Sequence, residues 1–404
     1  MWGLGTSAGI GAQRLREHNK AEVTRKDWWS YSNNPIRILF GIGSLSELGC
    51  LVESFSHLLL VTTPSLTKLG VTERVCSIMG TGRTMVVDDI QPNPDLVDFE
   101  NRMQVLASEP IQAIVGLGGG SVLDTAKVLS FLWRAGSSDV LRAHFERGAE
   151  LPSVGPLPVI AIPTTAGTGS EVTPFATVWD KQRIKKYSLT FPNLSPNVAL
   201  LDPQLTLSLP ENMTVATGLD ALSQGLEAIW NRNANSITMA YALQAVVIAF
   251  RTLLRLVNAL DDLEYRSRML EASLLSGLAI RRTRTALAHA ISYPVTAVYG
   301  VPHGLACGFT LPAILEFNAQ VDDGRLVNLA RQLGFESIQS FRDELVAFLG
   351  RLDVRRRLEE YFSSTDQLLE LAPRMLTPGR ADNNLRAVEV SDVRAILRAA
   401  WVGG

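Results

Sequence analysis

Short apolar runs alternating with helical patterns fill the first half of the chain. Ile36–Phe40 reads as a strand, followed by a turn at Gly41 and Gly43 and a helix across Leu45–Glu53. His57–Thr62 is a second β-rich run, with a helix opening near Ser65. Thr84–Val87, Ala113–Gly116, Val159–Ile162 and Val198–Leu201 are further strand candidates. Strands separated by helices predict a mostly parallel, doubly wound sheet. From Pro210 the period changes: Thr214–Trp230, Ser236–Leu260, Glu264–Ile280 and Asp323–Gly334 carry apolar positions at helical spacing. The expected organisation is an extension over residues 1–26, an α/β domain over 27–207 and an all-helical domain over 208–404.

Composition narrows the class. A chain of 404 residues exceeds what one core usually serves, which agrees with two domains. Apolar residues at 46% and charged residues at 19% fit a globular protein with ample core. A formal net charge of −2 excludes a nucleic-acid binder that relies on a bulk basic field. Cys50, Cys76 and Cys307 match no zinc-ribbon or redox spacing and fit a reducing compartment. Met1–Lys26 has no apolar core of signal-peptide length. Ala242–Leu256 is interrupted by Gln244, Arg251 and Arg255, so it reads as a buried helix rather than a membrane span. A soluble, cytoplasmic protein is expected.

Two glycine-rich turns carry the first chemistry. Gly116-Leu117-Gly118-Gly119-Gly120-Ser121-Val122-Leu123-Asp124 follows an apolar strand and opens a helix. Such a turn lets backbone N–H groups approach a phosphate, and the helix N-terminus adds partial positive charge. Ile162-Pro163-Thr164-Thr165-Ala166-Gly167-Thr168-Gly169-Ser170-Glu171 follows another strand with a cluster of hydroxyls. Either turn alone also reads as a tight loop without a ligand. Together, after parallel strands, they point to one crevice at the strand ends. Gly118, Gly119, Gly120, Ser121 and Asp124, with Thr164, Thr165, Thr168 and Ser170, are the candidate dinucleotide contacts.

The motifs GGGSVLDTAK, IPTTAGTGSEVT, LLDPQLTLSLP, TGLDALSQGLE and PHGLACG occur in the order found in the iron-dependent (group III) alcohol dehydrogenases, and the chain resembles that family over roughly residues 35–320. Asp88–Pro94 also looks like a family segment. The resemblance implies a dinucleotide-binding α/β domain, a helical domain of dehydroquinate synthase-like architecture, a divalent metal in the cleft between them, and a dimer. Its metal ligands are one Asp and three His. Asp220 matches the Asp, and His289 and His303, fourteen residues apart, match two of the His. The third His position, four residues after Asp220, holds Gln224. Three outcomes stay open: direct ligation by the amide oxygen, a water in the gap, or no metal. The plainer alternative makes Asp220 a helix-surface charge and the two His packed residues. Fe(II) is the first expectation for the metal and Zn(II) the second.

Two further positions depart from the family. Tyr293 stands where many relatives have a His near the substrate, and it fits either a proton donor or a packed aromatic before Pro294. Thr63 stands where many NAD-preferring relatives carry an Asp on the adenosine ribose. A threonine does not repel a 2′-phosphate, so NADPH is admitted beside NADH.

Arg281-Arg282-Thr283-Arg284-Thr285 leads into His289. Arginines there favour an anionic substrate, with Arg284 the first candidate and Lys185 and Lys186 behind it; a solvated basic helix face is the alternative. The wording around His289 and Gly308–Pro312 resembles the branch that reduces phosphonoacetaldehyde to 2-hydroxyethylphosphonate. The expected activity is NAD(P)H-dependent reduction of a small, anionic aldehyde, with the metal polarising its carbonyl. Its rivals are a dehydrogenase of neutral short-chain alcohols, a lyase of the dehydroquinate synthase kind, and a nucleotide-binding relative with a decayed metal site.

Overall fold

The apolar runs of the first half become six parallel strands in a computed structural model that describes residues 36–402, apart from 192 and 377. The extension expected over residues 1–26 lies outside the described residues. The strands β1 (Arg37–Phe40), β2 (Leu58–Val61), β3 (Thr84–Val87), β4 (Ala113–Gly118), β5 (Val159–Pro163) and β8 (Val198–Leu201) lie in the order β1-β8-β5-β4-β2-β3. Central strands β2, β4 and β5 are buried along their whole length, as their unbroken apolar sequences require of strands covered on both faces. Edge strand β1 is half exposed and leaves Ile38 and Phe40 partly open.

Around this sheet stand α1 (Leu48–Leu51), α2 (Pro64–Lys68), α3 (Val71–Met79), α4 (Leu96–Leu106), α5 (Gly120–Ala135) and α6 (Asp139–Arg147). The helix expected over Leu45–Glu53 is shorter, split between a 3-10 turn at Ser44–Glu47 and α1. Local chemistry sets several starts. Asp95 and Asp98 form a capping box ahead of α4, and Thr63 caps α2 immediately after β2.

One element has no counterpart in the sequence reading. β6 (Phe175–Asp180) and β7 (Lys185–Thr190) form an antiparallel hairpin paired from Phe175↔Thr190 to Asp180↔Lys185. Ala176, Val178 and Leu189 are buried on its inner side. Its turn, Lys181–Ile184, holds Ile184 at φ 51° and contains neither the Asn-Gly nor the Asp-Gly pair that marks a hairpin in sequence.

The second half is helical: α7 (Glu211–Ile229), α8 (Ser236–Val257), α9 (Leu263–Thr283), α10 (Leu287–Tyr299), α11 (His303–Gly308), α12 (Leu311–Ala319), α13 (Arg325–Leu333), α14 (Ile338–Arg351), α15 (Val354–Glu359), α16 (Thr365–Leu369) and α17 (Val390–Val402). Among the described residues α8 alone is long and apolar enough to cross a membrane, and it packs against α7 and α9. The largest core cluster joins residues from α7 through α17 to Ala199 and Leu201 of the sheet strand β8. The α/β and helical halves thus share one packed body.

Candidate active site

A cleft of about 1150 Å³ lies at the C-terminal ends of the parallel strands, bounded by the helical half. The chain runs from β2 outward to β3 and then back to β4 on the other side of β2, so the crevice beside β2 and β4 is where the strand order reverses. Open parallel sheets bind ligands at such a reversal. Thr63 follows β2, Gly119, Gly120 and Ser121 follow β4, and Thr164, Thr165 and Thr168 follow β5; all of them line the cleft. The two glycine-rich turns touch. A Cβ on Gly120 would lie 2.6 Å from the Thr168 methyl group, so only glycine lets them close into one wall.

Three of the expected dinucleotide contacts have internal tasks. Gly118 accepts the backbone N–H of Thr164 at 3.0 Å and ties β4 to β5, and it is not part of the cleft lining. Asp124 lines the cleft, but its Oδ1 takes the Ser170 hydroxyl at 2.5 Å and the Lys127 ammonium at 3.0 Å. Its Oδ2 takes the Thr177 backbone N–H at 2.7 Å. This carboxylate and Ser170 therefore brace the second turn and the β6–β7 hairpin. Asn93, from the Asp88–Pro94 segment, donates its backbone N–H to Ser121 at 3.2 Å and lines the same wall.

The helical half supplies the other wall. Asp220 and Gln224, four residues apart on α7, share a face, and Glu227 lies on the next turn of it. His289 enters from α10 and His303 opens α11. α11 is pressed onto α7: a Cβ on Gly304 would stand 1.7 Å from the Ala216 carbonyl oxygen and 2.9 Å from the Asp220 nitrogen. That contact fixes His303 against Asp220. His289 Nε2 lies 3.3 Å from Asp220 Oδ1, and its Nδ1 lies 2.7 Å from Glu227 Oε2. Glu227 also accepts the backbone N–H groups of Ala286 and His289, so its buried carboxylate fixes the start of α10 together with the imidazole. Burial would raise the Asp220 pKa, but the bond to His289 and the nearby His303 hold it below the ordinary carboxylate range. The Asp220, His289, His303 and Cys307 donor atoms all lie within 4.8 Å of one another. A cluster of carboxylate, imidazole and thiol donors of that size fits a divalent transition metal.

Gln224 takes a different part from the one its position suggested. Its amide nitrogen donates to Asp220 Oδ1 at 3.2 Å and to the Thr168 carbonyl at 3.3 Å, while its oxygen accepts from Ser276 at 3.0 Å. Two acceptors on one side require the NH₂ there, so the amide oxygen points away from the carboxylate.

Beside the imidazoles the cleft turns cationic. Tyr293 stacks on His303, with ring centroids 5.9 Å apart. Arg380 Nε donates to its hydroxyl at 3.2 Å, and the Lys186 ammonium stands 4.0 Å from its ring centre. Burial opposes ionisation of this phenol, yet Lys186 and Arg380 outweigh it and bring the pKa down to about 8. Arg284 caps α9 with φ 63° and ψ 176°. Its guanidinium lies 4.4 Å from the Phe175 ring and donates to Thr190 at 3.3 Å. Its Nη1 is buried without a hydrogen-bond partner. Burial and then Arg380 lower its pKa to about 10. Lys185 is exposed on the outer part of the hairpin, outside the cleft lining.

Sequence reasoning thus missed Glu227, Cys307 and Arg380, and gave Lys186 a lesser place. Glu227 was within reach, because it repeats the Asp220 face seven residues on. Arg380 was not, because it arrives on a C-terminal segment with no motif, tied into the site by Asn383 Nδ2 on the Thr285 carbonyl at 2.9 Å.

Comparison with known proteins agrees with this architecture. The family described as iron-containing alcohol dehydrogenase matches residues 35–203, and the C-terminal family of Fe-containing alcohol dehydrogenases matches residues 214–401. A phosphonoacetaldehyde reductase of Streptomyces viridochromogenes is 38% identical over 280 residues, which are 68% of this chain and 69% of that one. A sulfoacetaldehyde reductase from Bifidobacterium kashiwanohense, solved with NAD+, superposes with a TM-score of 0.85 at 29% identity, covering 93% of this chain and 99% of that one. Aldehyde-alcohol dehydrogenase 2 of Entamoeba histolytica is 29% identical across 91% of this chain, which spans only 46% of that protein's length. The chain belongs to the iron-containing alcohol dehydrogenase family. It is therefore an oxidoreductase of the NAD(P)-dependent type.

Proposed function

We propose that the protein reduces a small anionic aldehyde to its alcohol, phosphonoacetaldehyde being the substrate that fits best, with NADPH accepted at least as readily as NADH. The observation that carries this reading is the convergence of Lys186, Arg284 and Arg380 on Tyr293 next to His289 and His303. Among the described residues lining the cleft, the acidic side chains are Asp124 and Asp220. Asp124 is already held by Ser170, Lys127 and Thr177, and Asp220 belongs to the metal cluster. The remaining positive charge is left for a ligand, and a phosphonate offers the matching charge and acceptor oxygens.

When bound, the nicotinamide supplies the hydride and a divalent metal on Asp220, His289 and His303 supplies Lewis acidity toward the carbonyl oxygen. The chain's own residues do the rest. Glu227 holds His289 by Nδ1, which leaves Nε2 directed at the cluster. Arg284, with an unused N–H, and Arg380 hold the anionic end and thereby orient the aldehyde. Tyr293 accepts from Arg380 through its oxygen, which keeps its own hydrogen for the product oxygen. Thr63, at the end of β2, brings no negative charge against a 2′-phosphate, and its hydroxyl, which accepts the Leu66 N–H as the cap of α2, still has a hydrogen to donate. A cytoplasmic homodimer is part of the same reading.

The test is oxidation of NADPH and of NADH by phosphonoacetaldehyde, on chelator-stripped protein and after anaerobic Fe(II) addition, with acetaldehyde in parallel. Metal-dependent turnover of the phosphonate aldehyde is expected. Acetaldehyde turned over as efficiently would remove the anionic-substrate reading, and equal turnover in stripped protein would remove the metal.

A further inference from the structure

We propose that Cys307 is a ligand of the metal, so that the cation is held by one carboxylate, two imidazoles and one thiolate, with Gln224 outside the coordination shell. The helix-face position that would hold a third imidazole carries Gln224, whose NH₂ faces Asp220 and the Thr168 carbonyl and whose oxygen lies on the far side, 3.0 Å from the Ser276 hydroxyl. An NH₂ group brings no lone pair to a cation. The space beside Asp220 therefore needs another donor.

Cys307 provides it from α11. It lies one turn after His303 on α11, the spacing that puts two side chains on one helix face. Its sulfur stands 3.9 Å from His303 Nε2, and the whole four-atom set lies within 4.8 Å. Nitrogen and sulfur bound tetrahedrally to zinc-like ions stand about 3.6 Å apart, so the His303–Cys307 pair closes with a shift of a few tenths of an ångström and the widest pair in the set with about one ångström. α11 is placed for this by close contact with α7 at both ends. Gly304 meets the Ala216 carbonyl, and a Cβ on Gly308 would lie 3.2 Å from the Leu219 side chain. Cys307 is fully buried, as a thiol packed only for its volume would be. Cys76 shows that second situation, in a cluster of aliphatic side chains that includes Leu45 and Val75. Cys307 instead has two imidazoles and a carboxylate as neighbours. On metal binding the S–H proton passes to solvent and sulfur binds as thiolate. One thiolate among nitrogen and oxygen donors favours Zn(II), Co(II) or Fe(II) over Mg(II) and Mn(II).

The experiment uses the full chain, stripped with chelator and titrated anaerobically with Co(II), and its readout is the spectrum and the binding curve rather than turnover. The wild type is expected to bind one equivalent and to develop a near-ultraviolet thiolate-to-cobalt charge-transfer band. Cys50→Ala, which removes the exposed cysteine, should leave that band intact. Cys307→Ala should abolish it and weaken Co(II) binding by on the order of 100-fold or more, the upper end of what even supporting residues contribute. Adding Gln224→His to Cys307→Ala should recover affinity without the band. Bound Co(II) with no band in the wild type overturns the assignment, and that spectrum decides even if a variant folds poorly. Failure of the wild type to bind Co(II), or an unchanged binding curve in Cys307→Ala, overturns it equally.

Discussion

Replacing Arg284 with glycine should make the protein more stable and less able to use an anionic aldehyde. The backbone there, at φ 63° and ψ 176°, occupies a region open in practice to glycine. Holding another residue in it costs about 1–3 kcal/mol. The depressed guanidinium pKa of about 10 corresponds to a penalty on the order of 3 kcal/mol from burial and from the neighbouring Arg380. Against these stand about 1 kcal/mol of backbone entropy for glycine. Losing the Phe175 contact and the Thr190 hydrogen bond costs about 1–2 kcal/mol more. The balance is a stabilisation of about 2 kcal/mol, read as a melting temperature higher by a few degrees. Catalysis moves the other way. An anion held about 5 Å from the guanidinium in an effective dielectric of about 20 gains roughly 3 kcal/mol. Its loss lowers kcat/KM for phosphonoacetaldehyde by roughly 100-fold, whereas acetaldehyde should change less than about threefold. Calorimetry and initial rates on the metal-loaded protein check both halves. Equal losses with both aldehydes, or a lower melting temperature, would refute the reasoning.

Three other expectations follow from the same geometry. Tyr293→Phe should lower kcat by roughly 100-fold, the usual worth of a positioned acid. The wild-type reduction rate should also fall as pH rises through about 8, where the phenol loses the proton it must donate, and this limb should be missing from the variant's pH profile. Glu227→Gln should weaken metal binding by roughly 10- to 100-fold in a chelator competition, because His289 loses its charged acceptor at 2.7 Å. Thr63→Asp should lower the NADPH-to-NADH ratio of kcat/KM by about tenfold or more, since a carboxylate at the end of β2 repels the 2′-phosphate.

What could be read from the sequence follows the range of the interactions involved. β3 and β8 appear at their expected limits, Thr84–Val87 and Val198–Leu201, because each is an apolar run between polar segments. The glycine-rich turns were legible for the same reason: strand, turn and helix start are contiguous. The spacing of Asp220, His289 and His303 was visible through family resemblance, and packing of α7, α10 and α11 brings those positions together. Groups recruited over long distance were not visible. Arg380 reaches Tyr293 across 87 residues. Lys186 reaches it from a hairpin whose turn lacks the usual residues. Gln224 shows a subtler limit. Its position was read correctly, but which end of the amide faces the cluster depends on Ser276 and Thr168, which no local pattern reveals.

A cleft built for an anionic aldehyde must make the metal-loaded enzyme prefer it over a neutral one. The most direct measurement is the ratio of kcat/KM for phosphonoacetaldehyde to that for a neutral aldehyde of similar length, with NADPH and Fe(II), at low and high salt. Three converging cations predict a ratio of roughly 100 or more that falls as salt screens them. A ratio near one, unchanged by salt, would contradict the assignment of Lys186, Arg284 and Arg380 to the substrate.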